Sequence, residues 1–487
     1  MVDVVAGLDL GSTSIKLLVA TRDGDELFVL LTPTPWTTAA RGCTELAQSD
    51  LSDAVIGLLG RAADRLADEV DGARVVALGA SGMAEAGFLI DRTGVALSSA
   101  IAWFDPRGAD EIAATPEALR REFPGRTGLP VGPIATIAKL LHLRDTGIAL
   151  AGTRWLNIPE FVVHLLGGPM VTEYSLASRT GLLDQDTGQP WPAALDLLGV
   201  DDDFLPPRCS AGEALGLASH PLLPAVFSGA TLTIAGHDHL VSAVAAGATA
   251  SHQLYNSMGT AEALVRILDG PLPFDARDRL ASAGINALRH VIPGKYVLLA
   301  GTRAGLVMRR VFQLLGIVDA PARLAIDAAA MALPVDGGPA GRSVTVTGAR
   351  NDDGVLAVRV DGDGVTPAEL FAATLMHGNE MSAALIAVMD REVPAASTCV
   401  LTGGWARMSS VVRARRLVLP ELSHTSRDED TAFGAALFAA FAARTQPEAN
   451  PDDRADQFAA FAARFCAPAD GRTRIPLQNS ATQGVMS

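Results

Sequence analysis

The chain has 487 residues, 49% of them apolar and 19% charged, ample material for a packed core, which excludes a disordered or collagen-like chain. At roughly 100–200 residues per domain the length suggests about two to four domains. Acidic residues outnumber basic ones 54 to 39, a formal charge of −15, and only Lys16, Lys139 and Lys295 are lysines. This balance excludes tracking a nucleic-acid backbone and disfavours an anionic membrane surface. A bound nucleotide would have to be neutralised by backbone amides, a metal ion or arginine.

Cys43, Cys209, Cys399 and Cys466 lie far apart and form no C-x-x-C pair, so reduced thiols are expected rather than a zinc site or a disulfide framework. The N-terminus carries an acid at position three and no basic n-region. The longest small-apolar stretches, 241–251 and 431–443, fall short of the roughly 18 residues of a spanning helix. A soluble, cytoplasmic protein is expected.

In chain order, residues 4–10 and 15–20 read as strands around a Gly11-Ser12-Thr13-Ser14 turn. A turn at 22–25 leads to a third strand over 26–31. Leu51, Val55, Leu58, Leu59, Ala62 and Leu66 give helical spacing over 50–71. A buried-type strand over 74–80 ends at Ser81-Gly82, and strands and helices then alternate, an α/β pattern. The opening recurs about 250 residues later, with strands over 252–257 and 261–267 around Met258-Gly259-Thr260. Two related lobes are implied. Residues 240–250 read as the helix that ends the first, 453–465 as a short late helix, and 478–487 as a frayed tail.

Five segments could carry chemistry. The turn after Asp9 gathers backbone N–H groups, as phosphate sites do, and Asp9 could hold hydrated Mg²⁺ beside it; an ordinary hairpin with a surface acid reads equally well. Gly259 and Thr260 could form a facing phosphate turn. Asp238, in Gly236-His237-Asp238-His239, ends the strand 231–235 and could accept a proton from an attacking hydroxyl. It could equally cap a helix beginning near Leu240, whereas His237 and His239 lack a third metal ligand. Trp103, Asp105 and Arg107 would share one side of an extended segment, suited to a polyhydroxylated ligand or simply to a local salt bridge. Gly403-Gly404 would let a flat ring such as adenine approach the backbone, and Gly434-Ala435-Ala436 would let a helix pack closely.

As an ordered set these segments resemble the FGGY family of carbohydrate kinases, most closely its xylulokinase-like members, over residues 2–442. The resemblance implies two actin-like (ribonuclease H-like) lobes of the sugar kinase–Hsp70–actin fold with a central cleft. Their expected bounds are 1–248 and 249–445, followed by a tail over 446–487. It implies Asp238 as catalytic base, also near the metal and the sugar, and Asp9 as the acid near Mg²⁺. Gly11, Ser12, Thr13, Gly259, Thr260, Gly305, Arg309, Gly403, Gly404 and Trp405 would bind ATP. Glu85, Trp103, Asp105 and His237 would lie at the sugar. Three departures fall at the sugar end: Met83-Ala84-Glu85, the Gly-His-Asp-His form of the acid motif, and Glu173 where xylulokinases tend to have Asp. The expected reaction is phosphoryl transfer from ATP to a small ketose or polyol, a pentulose such as xylulose foremost. A non-catalytic ATP-dependent sugar sensor on the same fold is the alternative, and the oligomeric state is open, a homodimer included.

Overall fold

The computed structural model describes residues 2–39, 43–335, 343–349, 355–425, 427–444 and 451–467. Val2–Leu10 (β1), Ser14–Thr21 (β2) and Glu26–Pro33 (β3) form the antiparallel meander expected from the opening. The helix Gln48–Glu69 (α1) buries all six apolar residues that predicted it. It returns the chain to Ala73–Gly82 (β4), parallel to β1. Thr231–His237 (β5) then pairs in parallel with β4, giving the order β5-β4-β1-β2-β3. Residues 4–10 are all buried, which explains why β1 reads as a nearly continuous apolar run rather than an alternating one.

The second sheet repeats this plan. Gln253–Met258 (β6) and Glu262–Leu268 (β7) form the second hairpin. Asn286–Arg289 (β8), Tyr296–Thr302 (β9), Thr398–Thr402 (β10) and Glu421–His424 (β11) complete the order β8-β9-β7-β6-β10-β11. In each sheet the central strand, β1 or β6, pairs antiparallel with its hairpin partner and in parallel with a later strand. Apart from the additional edge strand β8, the sheets correspond strand for strand, the structural counterpart of the repeated turn motif.

Four helices complete the frame around the site, with a fifth behind it. Asp238–Ala245 (α2) is shorter than expected, because the chain turns at Ala246 and left-handed Gly247. Ala304–Leu314 (α3) and the capped Pro367–Glu392 (α4) pack with the second sheet. Asp430–Ala442 (α5) follows the second sheet in sequence but packs against β1, β4, β5 and α2 of the first. Small residues allow this approach: a Cβ on Gly7 would lie 2.1 Å from Ala432 O, and one on Gly79 would lie 2.3 Å from Ala435 O. Gly434 likewise admits Val241 of α2. The expected late helix is Pro451–Phe465 (α6), which covers α5 through Phe458, stacked on Phe438 at 4.6 Å between ring centroids. The expected tail, 478–487, lies outside the described residues. Among the described residues no helix is long and apolar enough to cross a membrane.

Candidate active site

The β1–β2 hairpin places Asp9 directly across from Lys16. The turn between them is fastened from outside. Trp103 Nε1 donates to Ser12 Oγ at 2.8 Å, Trp36 Nε1 to Ser12 O at 2.7 Å and Thr34 Oγ1 to Gly11 O at 2.6 Å. Two indoles thus hold the turn, while Thr13 at its tip stays exposed.

Asp9 and the Gly236-His237-Asp238 corner flank β4 at the same end of the sheet, since Asp9 and Gly236 both register with Ser81. Ser81 Oγ donates to Gly236 O at 2.9 Å. Gly236 has a left-handed φ of 103°, and a Cβ there would lie 2.7 Å from Ser175 Oγ and 2.9 Å from Glu173 Oε2. Only glycine fits this corner. His237 N donates to Ser175 Oγ at 3.0 Å, and Ser175 Oγ donates in turn to the Glu173 carboxylate. Glu173 also caps the short helix Tyr174–Ala177. Burial pushes Glu173 up to about 8 and its neighbour Glu160 up to about 7.

Asp238 is the first residue of α2 rather than its N-cap; His237 occupies the cap position. The strand runs two residues further than expected, so the helix begins at the acid itself. Asp238 Oδ1 accepts from His239 N at 2.6 Å and lies 3.3 Å from His237 Nε2. Its side chain is 24% exposed, against 9% for Asp9. Burial raises Asp9 to about 7; Lys16 opposes the shift, while Asp238 and Glu429 add to it. Burial holds His237 well below the usual histidine range.

The expected nucleotide residues converge from three elements. A Cβ on Gly305, at the start of α3, would lie 1.8 Å from Gly259 O. One on Gly403 would lie 2.5 Å from Met258 O. The second turn is therefore clasped between α3 and the double glycine, and Gly404 and Thr260 remain exposed. A hollow of about 290 Å³ beside the double glycine is lined by Thr402, Gly403, Gly404, His424 and Arg427 among others. Trp405 does not line it; its ring packs edge-on to Phe312 at 5.2 Å. Arg309 is exposed on α3.

Among the residues expected at the sugar, the extended reading of residues 101–107 fails. The strand ends at Ile101 and the chain turns, with Asp105 N donating to Ala102 O. Asp105 is fully buried and accepts from Thr44 N, from Arg107 N and from the Arg107 guanidinium. The local ion pair, one of the two readings of this segment, is what forms, and the Asp105 carboxylate has no lone pair turned to a ligand. Trp103 remains half-buried against the first turn. Glu85 forms a buried ion pair with Arg179, a residue not singled out in the sequence. Lys16, likewise, is bonded to Glu429 as well as close to Asp9. Nothing local signals either partner: they lie 94 and 413 residues away.

Among the described residues no cluster of three or more His, Cys, Asp or Glu side chains could hold a metal ion. Asp9 is a buried carboxyl beside the first turn with Lys16 at 3.9 Å, and a cation there would favour its charged form.

The model of the FGGY family of carbohydrate kinases, N-terminal domain, matches residues 4–245. The gluconokinase of Bacillus subtilis (strain 168) is 25% identical over 307 residues, 60% of this chain and 57% of that protein; the chain thus spans little more than half the length of this relative. In fold, the chain is similar to the xylulose kinase from Rhodospirillum rubrum (TM-score 0.78, 20% identity, 95% and 97% of the two chains covered). It is equally similar to Plasmodium falciparum glycerol kinase with ADP (TM-score 0.78, 16% identity, 94% and 92% covered). The two matched sheets are the actin-like lobes that the motifs implied, and the chain belongs to the FGGY family of carbohydrate kinases.

Proposed function

We propose that the protein is an ATP-dependent kinase that phosphorylates a hydroxyl of a small ketose or polyol, a pentulose such as xylulose foremost, with Asp238 as general base. The observation that carries this reading is the placement of two acids of unequal exposure at one end of the first sheet. Asp238, the more exposed, would accept the proton of the attacking hydroxyl. His237 beside it is held neutral by burial, with its Nε2 3.3 Å from Asp238 Oδ1.

Asp9, with Asp238 close by, would hold Mg²⁺, which when bound supplies positive charge to the phosphate oxygens. The Gly11–Thr13 turn and the Gly259–Thr260 turn would cradle the phosphates with backbone amides, and the hollow beside Gly403 and Gly404 would take the nucleoside. With the reactants so positioned, most of the rate enhancement would come from orientation and electrostatics. The division into lobes over 1–248 and 249–445 is part of this proposal, with α5 returning to the first. A coupled ADP-release assay over ketoses, aldoses, polyols and sugar acids tests the reading. Turnover that requires both acceptor and Mg²⁺ is expected; ATP binding without turnover on any acceptor would refute it.

A further inference from the structure

The strand β8 has no counterpart in the first sheet, and its outer edge is not left open, as an edge strand's would be. The amides of Ala287 and Arg289, alternate residues on that edge, donate to Gly128 O at 2.9 Å and to Ser178 Oγ at 3.4 Å. Arg289 Nη2 donates to Gln185 O at 3.2 Å, and its guanidinium lies over the Tyr174 ring, 5.3 Å from the centroid. From the helix before β8, Phe274–Ser282, the buried Arg277 donates through Nε to Gly125 O at 2.6 Å. The strand is thus hydrogen-bonded to β9 on one side and to residues from the first half of the chain on the other. One of those partners, Ser178, directly follows the short helix that Glu173 caps.

The turn beyond β8 reaches further. His290 N donates to Lys295 O at 3.1 Å, and Ile292 N to His290 Nδ1 at 3.0 Å. Between them Val291, 1% exposed, is set against Gly236. A Cβ on Gly236 would lie 2.6 Å from Val291 Cγ1, 2.7 Å from Ser175 Oγ and 2.9 Å from Glu173 Oε2. Of these three walls, only Val291 comes from the second sheet's side. Ser81 and Ser175 hold the corner by hydrogen bonds to Gly236 O and His237 N; Val291 holds it by volume. A β-branched side chain is stiff at χ1, so it acts as a fixed stop in a close-packed interior. Asp238 is two residues from this contact. A general base must stand within hydrogen-bond reach of its proton, and a misplacement of about 1 Å can cost about 100-fold in rate.

We infer that Val291 is a positioning residue for Asp238: from the turn beyond β8 it closes one face of Gly236 and so fixes where the carboxylate stands. This rests on the kinase reading above and adds to it a residue that touches neither substrate. The additional strand then has a task. Anchored at Gly128 and Ser178, it carries a stop from the second sheet to the corner that bears the base.

The test compares wild type, Val291→Ala and Val291→Thr as full chains, with the best acceptor from the panel above. Val291→Ala opens space against Gly236. Val291→Thr keeps two γ atoms there but buries a hydroxyl. Both should lower the melting temperature. Only Val291→Ala should lower the single-turnover rate of phosphoryl transfer, by at least about tenfold per folded molecule, with ATP affinity within about twofold of wild type. Val291→Thr should stay within about threefold of the wild-type rate, because shape and not stability sets it. A residue that merely fills the core would cost folded protein in both variants and leave the rate per folded molecule unchanged. That result, or an equal loss of rate in the two variants, overturns this inference while wild-type turnover upholds the kinase reading. Wild-type turnover of no acceptor refutes both.

Discussion

Lys16 Nζ lies 2.6 Å from Glu429 Oε2 and 3.9 Å from Asp9 Oδ2. The lysine nearest the proposed phosphate turn is therefore already shared between two acids, one of them just before α5. A chain of charge −15 with three lysines does not place a free ammonium at the proposed phosphate turn, and the proposal therefore assigns the neutralisation to amides and a cation at Asp9. Asp9→Asn should lower kcat by at least about 100-fold and weaken the Mg²⁺ dependence. It should also raise the melting temperature of the nucleotide-free protein at pH 8, because it removes a buried charge whose pKa burial has raised to about 7. Kinetics and thermal unfolding of the same preparation check both halves.

Nucleotide-free stability should fall as pH rises from about 5 to 8. Glu160, Glu173 and Asp9 have folded pKa values raised to about 7, 8 and 7. The folded state thus holds protons that the unfolded state releases, and their stabilisation is lost as pH rises from the ordinary carboxyl range, about 4, through 7 to 8. His237 and His290 are buried and shifted down, His290 to about 3. Unfolding lets them take up protons below about pH 6.5, so there these two groups oppose, without reversing, the slope set by the three carboxyls. Glu173→Gln should remove about 1–2 kcal/mol of the alkaline loss. Melting temperatures from pH 5 to 8.5 decide it, and an unchanged alkaline slope in the variant would contradict the assignment.

Gly305→Ala and Gly403→Ala should each raise KM for ATP about tenfold or more. Both would push a methyl group into the backbone of the second turn, at 1.8 Å from Gly259 O and 2.5 Å from Met258 O. Gly403 also carries a φ of 93°, so its substitution should cost an additional 1 kcal/mol or so of stability. Nucleotide titration and urea unfolding separate the two effects. Gly404, whose added methyl would meet open space, serves as the comparison.

Phe458→Ala should destabilise the protein by about 3–5 kcal/mol without moving KM for either substrate. Phe458 is 1% exposed and lies against Phe438 and Phe441 of α5, on the side of that helix turned from the site. A loss of activity that outruns the loss of folded protein would show that α6 reaches the site.

Much of the frame was legible because its signals are local. The six apolar residues of α1, the β1–β2 and β6–β7 hairpins and the small-residue helix α5 all announce themselves within a few residues. Residues 101–107 left two readings open, and the local salt bridge is the one that forms: alternation implies a shared face only in an extended chain, and Asp105–Arg107 instead closes a turn. The start of α2 was misplaced because the strand continues through His237, held there by Ser81 and Ser175. Arg179 was illegible: its partner Glu85 lies 94 residues away, and only the folded chain brings the two together. The proposed nucleotide end is built largely from backbone, which glycine patterns reveal. The proposed sugar end is built from long-range side-chain pairs, which they do not.

In the proposed reaction Asp238 takes the proton from the acceptor hydroxyl. The measurement is single-turnover phosphoryl transfer by Asp238→Asn with saturating Mg²⁺·ATP and the best neutral acceptor, alongside ATP affinity by titration. A fall in rate of at least about 1,000-fold with ATP affinity within about threefold of wild type is predicted. A rate within tenfold of wild type would contradict the account.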